Sequence, residues 1–235
     1  KVGQVTDAVL KELSALCAAP LKIKYLINTH YHFDHTGNNE ALGKHAETII
    51  MHPNCIASLI KSLNEKATEN TFISKIQTWT QDMVINLGGE TVRLLHFGSG
   101  HTAGDLVVVF EKAKVLQTGD LFFNGMPAYI DIKDGADTGN WVKTIETLCK
   151  QYPDYKIIPG HGEVTTAKDW LAFADYLKYL RKETAAAIKA GKTKEQAVES
   201  INTDQFKQIK ANERGKFMTI KTNIGWIYDE MTRKK

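Results

Sequence analysis

The sequence predicts an α/β protein, on three observations. Helical apolar periodicity alternates with short β-branched runs in the first third, strand-like runs dominate the middle, and a long amphipathic helix follows them. With 43% hydrophobic and 24% charged residues, the chain has the composition of an ordinary folded core and not of a disordered, collagen-like or disulfide-scaffold protein. At roughly 100 to 200 residues per domain, residues 1–235 are expected to form one domain.

The elements follow in order. Val9, Leu10, Leu13, Leu16 and Cys17 recur at helical spacing from Asp7, which predicts a helix closed by Pro20. Ile23 to Ile27 reads as a strand that feeds the polar run Thr29-His30-Tyr31-His32-Phe33-Asp34-His35-Thr36-Gly37. A short helix at Asn39 to His45, a strand at Thr48 to Met51 and a helix opened by Pro53 come next, since proline suits a first helical turn. Asn64 to Asp82 is polar and weakly periodic and reads as a long loop. Strands are expected at Met83 to Ile85, Thr91 to His96, Leu106 to Phe110 and Val115 to Gln117, with Gly88-Gly89 turning the first pair. A helix at Trp141 to Gln151 and a strand at Ile157 to Ile158 lead to the loop Pro159-Gly160-His161-Gly162. A capping box from Thr166 to Asp169 then opens a long helix with Trp170, Phe173, Leu177 and Leu180 on its core face, and a helical remainder from Lys194 caps the domain.

Charge and composition exclude several classes. Thirty basic against 27 acidic residues leave a formal charge of +3, too weak a field to imply nucleic acid. No apolar run approaches the roughly 18 residues that span a bilayer. Cys17, Cys55 and Cys149 lie far apart and read as buried small hydrophobes. The chain opens at Lys1 with neither a start methionine nor a leader pattern, so localisation is left open, export included.

One cluster carries chemistry. In an extended loop His30, His32 and Asp34 share a side, and His35 approaches from the flank. Imidazole and carboxylate are zinc ligands, and one loop cannot complete two coordination spheres, so further ligands are expected elsewhere. The sequence offers His101 in Gly100-His101-Thr102-Ala103-Gly104-Asp105, Asp120 in Thr118-Gly119-Asp120, and His161 between two glycines. Each follows a strand or sits in a Gly-rich turn, where open α/β architectures place ligands. His45, His52 and His96 match no motif and read as surface or core histidines. Asp105 reads as a turn group or as an acceptor that orients a bound histidine. Asn124 and Tyr31 are candidates for substrate binding, with plain packing as the alternative.

The ordered set HxHxDH, GHT, TGD and PGHG resembles the metallo-β-lactamase-fold hydrolase superfamily, and Gly119 to Asn124 with the long helix behind the last motif resembles a bacterial branch of it. The resemblance covers nearly the whole chain. It implies a four-layer αββα sandwich with His30, His32 and His101 on a first metal, Asp34, His35 and His161 on a second, and Asp120 bridging or flanking them. The His35-containing loop is similar to glyoxalase-II-type and subclass-B3-type members, and none of the three cysteines falls where other lactamases place a cysteine ligand. The implied function is that of a dinuclear zinc hydrolase in which metal-bound hydroxide attacks the carbonyl of a small-molecule β-lactam, thioester or lactone, with Asp34 orienting the nucleophile and taking its proton. Iron is a possible alternative metal. The competing readings are a mononuclear iron persulfide dioxygenase, a nuclease of the same fold, disfavoured for want of a basic arm, and a non-catalytic metal-binding protein. Family members place several strands before the first motif, whereas only 29 residues precede His30. The first sheet is therefore expected to be truncated, with the missing strands supplied by a longer parent chain, another chain or a second copy.

Overall fold

The structure, a computed structural model, describes residues 2–17, 21–63, 71–78, 82–210 and 217–233. The chain divides into two compact units, Lys1–Asp82 and Met83–Lys235.

In the first unit, helix α1 (Val2–Leu16) precedes strand β1 (Ile23–Ile27), the one-turn helices α2 (Phe33–Thr36) and α3 (Asn39–Leu42), strand β2 (Ala46–Ile50), helix α4 (Pro53–Leu63), a 3₁₀ turn at Thr71–Lys75 and strand β3 (Ile76–Gln77). The three strands form a parallel sheet in the order β1-β2-β3. Its core gathers Ile49, Met51, Cys55, Leu59 and Phe72. β2 starts two residues before the expected Thr48 because Ala46 pairs with Ile23. Pro20 lies outside the described residues, as do 64–70 and 79–81 of the expected loop, and the rest of that loop holds the 3₁₀ turn and β3.

The second unit carries a six-stranded sheet: β4 (Met83–Leu87), β5 (Glu90–Leu95), β6 (Val107–Phe110), β7 (Val115–Gln117), β8 (Lys156–Ile158) and β9 (Thr165–Thr166), adjacent in that order. The first four form an antiparallel meander, β8 joins β7 in parallel, and β9 turns back on β8. Parallel pairing of β7 and β8 requires a crossover, and helix α5 (Thr138–Gln151) supplies it. α5 starts before the expected Trp141 because the Asp137 carboxylate caps it, accepting from Asn140 N. Helices α6 (Ala167–Lys189), α7 (Lys194–Ser200) and α8 (Ile220–Thr232) complete the unit. Trp141, Ile145 and Leu148 of α5, with Trp170, Phe173, Leu177 and Leu180 of α6, build its core. The Glu230 carboxylate of α8 accepts from Arg181 and from Thr138 N, which ties α8 to the other two helices.

Two expectations are corrected here. Thr166 stands at the N-cap of α6 and pairs with Lys156 in β9, but makes no side-chain cap; the Asp169 carboxylate, its expected partner, accepts from the hydroxyl of its neighbour Thr165 instead. Capping boxes stand at Thr193 and Thr219, which open α7 and α8. The second correction concerns the cysteines. Cys55 and Cys149 are buried, but Cys17 is exposed, since it lies past the last turn of α1, where Leu16 is itself exposed.

That difference predicts thiol reactivity. Burial pushes the Cys149 thiol up to about 12, and the thiolate is the reactive form. At about pH 8 an aromatic disulfide reagent is expected to titrate Cys17 rapidly in the native protein and all three thiols only after unfolding. Rapid native reaction of two or more thiols would contradict the burial of Cys55 and Cys149.

Candidate metal centre

In the first unit, β1 delivers Asn28, Thr29 and His30 past its carboxyl end, where a parallel sheet opens onto loops. Asn28 and Asn39 exchange two side-chain hydrogen bonds of 3.1 and 3.0 Å, and Asn28 also donates to the His35 carbonyl. This buried pair fastens both ends of the histidine-rich run. Thr29 Oγ1 sits 3.2 Å from His30 Nδ1, which engages one ring nitrogen and fixes the ring.

The run is not extended throughout. The His32 carbonyl accepts from His35 N and Thr36 N, and the Thr36 hydroxyl donates to the carbonyls of Tyr31 and His32. These bonds close the turn α2, so alternation holds for His30 and His32 and fails from Phe33 on. Asp34 and His35 come side by side instead, with 3.5 Å between Oδ2 and Nε2. The rings of His32 and His35 centre 4.7 and 4.1 Å from that of His30. All four expected ligands of this loop are therefore gathered within the unit. Tyr31 packs partly buried on the unit's core, its ring 4.5 Å from that of His32.

In the second unit, three loops converge. His101 follows β5, Asp120 lies in a 3₁₀ turn (Gly119–Leu121) after β7, and His161 follows β8. Asp120 Oδ2 stands 3.5 Å from His101 Nε2 and 3.3 Å from His161 Nε2, with His101 and Asp120 buried. His101 Nδ1 lies 2.6 Å from the Tyr129 carbonyl, which sets the tautomer and leaves Nε2 to the carboxylate side. Gly160 permits the approach: a Cβ there would lie 2.0 Å from Asp120 Oδ1. The Gly119 carbonyl accepts from Gly160 N at 2.8 Å.

The acceptor for His101 is thus the Tyr129 carbonyl and not Asp105. Asp105 is a turn group, its carboxylate accepting from Thr102 N and Thr102 Oγ1 at 2.9 and 2.7 Å. Burial, opposed by those hydrogen bonds, raises its pKa to about 7. Its backbone carbonyl meets His96 Nδ1 at 2.7 Å, so His96 is engaged in the loop, while His45 is exposed. Asn124 braces the His161 loop: its side chain donates to the Glu163 carbonyl and its backbone N–H to the His161 carbonyl.

The donor chemistry fits a divalent metal. Imidazoles fixed through one nitrogen, a buried carboxylate between two of them and a glycine where no side chain fits are the features of a metal-ligating cluster. Fold and donor set together define a metallohydrolase class of protein. Residues 3–161 match the metallo-beta-lactamase superfamily, and the chain belongs to that family.

Among its relatives is the hydroxyacylglutathione hydrolase GloC of Haemophilus influenzae, 32% identical over 154 residues, which are 62% of this chain and 72% of that protein. The metallo-beta-lactamase IND-1 of Chryseobacterium indologenes is 34% identical over 104 residues, 41% of this chain and 44% of that one. The solved metallo-beta-lactamase from Pontibacter korlensis superposes with a TM-score of 0.58 at 24% identity, covering 73% of this chain and 76% of that one. The sec-alkylsulfatase Pisa1 from Pseudomonas sp. superposes with a TM-score of 0.76 at 13% identity over 96% of this chain and 44% of that one. At these identities the two structures show the shared fold alone.

Proposed function

We propose that this chain is a dinuclear zinc hydrolase that cleaves a carbonyl compound, with a thioester as the first substrate class and lactones and β-lactams as the others. One observation carries the reading: a buried carboxylate, Asp120, faces the Nε2 atoms of two histidines delivered by separate strand ends. In this proposal, carried over from the family resemblance, His30, His32 and His101 would hold one ion and Asp34, His35 and His161 the second, with Asp120 bridging or flanking them. Seven donors exceed the four that a single tetrahedral ion needs, which favours two ions over one. The hydroxyacylglutathione hydrolase relative supports the thioester class.

When bound, such ions supply Lewis acidity, which makes a water acidic near neutral pH and polarises a carbonyl. The chain's own groups do the rest. Tyr129, through its carbonyl, keeps His101 in one tautomer. One Asp120 carboxylate oxygen stands beside the Nε2 atoms of both imidazoles of its unit, which places three donors together. Asp34, half-exposed at the start of α2, orients the attacking water and accepts its proton.

Metal analysis of the purified chain, followed by a panel of thioester, lactone and cephalosporin substrates, tests the reading. Zinc near two equivalents with turnover of a carbonyl substrate is expected. Iron near one equivalent with oxygen uptake would move the assignment to a dioxygenase. His161→Ala is expected to lower the content toward one equivalent; unchanged stoichiometry and rate would remove His161 from the ligand set.

A further inference from the structure

Two tryptophans converge on one backbone atom beside Asp120. The Leu121 carbonyl accepts from Trp141 Nε1 at 2.8 Å and from Trp170 Nε1 at 2.9 Å. Both indoles are fully buried, and a carbonyl oxygen has two lone pairs, so this acceptor is filled by side chains from α5 and α6. The 3₁₀ bonds that close the turn are long, 3.4 Å from Leu121 N to Thr118 O and 3.3 Å from Phe122 N to Gly119 O. Gly119, before Asp120, is held by Gly160 N and the Gln117 side chain at 2.8 and 2.6 Å, and Leu121, after it, by the two indoles.

We infer that Trp141 and Trp170 are positioning residues that fix the Asp120 carboxylate for metal by clamping the carbonyl of the next residue, Leu121. The inference rests on the reading of Asp120 as a metal ligand. Ligand bonds tolerate errors of only a few tenths of an ångström, and groups that orient ligands contribute about 10- to 100-fold to metal affinity. Asp120 lies in a three-residue turn after a glycine in the left-handed region, φ 53°, a conformation that leaves its orientation to its neighbours. Trp141 also borders a second donor, its ring 5.8 Å from that of His101. Trp170 stacks on Phe122 and reaches the same carbonyl from α6, so its variant reads the clamp from the other side.

The test is zinc affinity of the full chain by chelator competition, with urea midpoints measured alongside. Phenylalanine keeps a ring in the core and removes the N–H. Trp170→Phe and Trp141→Phe are each expected to weaken zinc binding about threefold or more, and the double variant by about 10- to 100-fold, since the carbonyl then has neither indole donor. The control is Tyr176→Phe, which removes another buried donor from the same core, the Tyr176 hydroxyl on Asn223 Oδ1 at 2.7 Å. It is expected to lower the urea midpoint and leave zinc affinity unchanged. Should the double variant fail to fold, the two single variants decide by the same threefold criterion. Wild-type zinc affinity in the tryptophan variants, or equal weakening by Tyr176→Phe, overturns the inference and leaves the proposed function standing. A wild-type chain that takes up no divalent metal overturns both.

Discussion

Asp34→Asn is expected to lower kcat by about two to four orders of magnitude while KM changes far less. The substitution keeps the size of the side chain and its place at the start of α2, and it removes the charge and the proton acceptor. Asp34 is suited to the role by position: its carboxylate is 56% exposed, 3.5 Å from His35 Nε2, and adjacent in the chain to no other acid. A group that receives a proton only as the carbonyl is attacked affects the transition state and not the bound substrate, hence the asymmetry between kcat and KM. The measurement is steady-state kinetics on the fastest substrate of the panel, with zinc content determined on the same sample. An unchanged kcat at full zinc content would leave Asp34 a scaffold residue. A fall in kcat matched by loss of one metal equivalent would make it a ligand and nothing more.

Gly160→Ala is expected to weaken zinc binding by about 10- to 100-fold and to cost about 1–3 kcal/mol of stability. The added Cβ would stand 2.0 Å from Asp120 Oδ1 and 2.7 Å from the Gly119 carbonyl carbon. Neither neighbour is the end of a flexible chain, because Asp120 is buried and Gly119 is backbone held by Gly160 N itself. Relief therefore requires moving β7's turn or β8's loop, and either motion changes the distance between Asp120 and His161. Chelator competition and urea unfolding measure the two effects. Zinc affinity within about threefold of wild type would show that the loop yields without disturbing the carboxylate.

The elements were largely legible in the sequence. β1 and β7 fall where periodicity and β-branched composition place them, and the core face of α6 is the stripe of Trp170, Phe173, Leu177 and Leu180. These signals are local: an amphipathic period or a proline at a first turn acts within a few residues, and no distant partner is needed to read it. The donor types were legible for a related reason, since the chemistry of a histidine or carboxylate is intrinsic and strand-end placement follows from the order of elements.

What supports those donors was not legible. The one-turn helix α2 forms because the His32 carbonyl captures two following N–H groups, which turns Asp34 toward His35 and ends the alternation. The partner of His101 is a backbone carbonyl 28 residues away, and Trp170 reaches Leu121 across 49. Thr166, with the residue pattern of a capping box, makes no cap, because its expected partner Asp169 accepts from Thr165. Local pattern and residue chemistry dictate which elements form and which side chains bring ligand chemistry. How each ligand is aimed depends on the folded chain, because backbone carbonyls look alike in every residue and become specific partners when the fold brings one of them within about 3 Å of a donor.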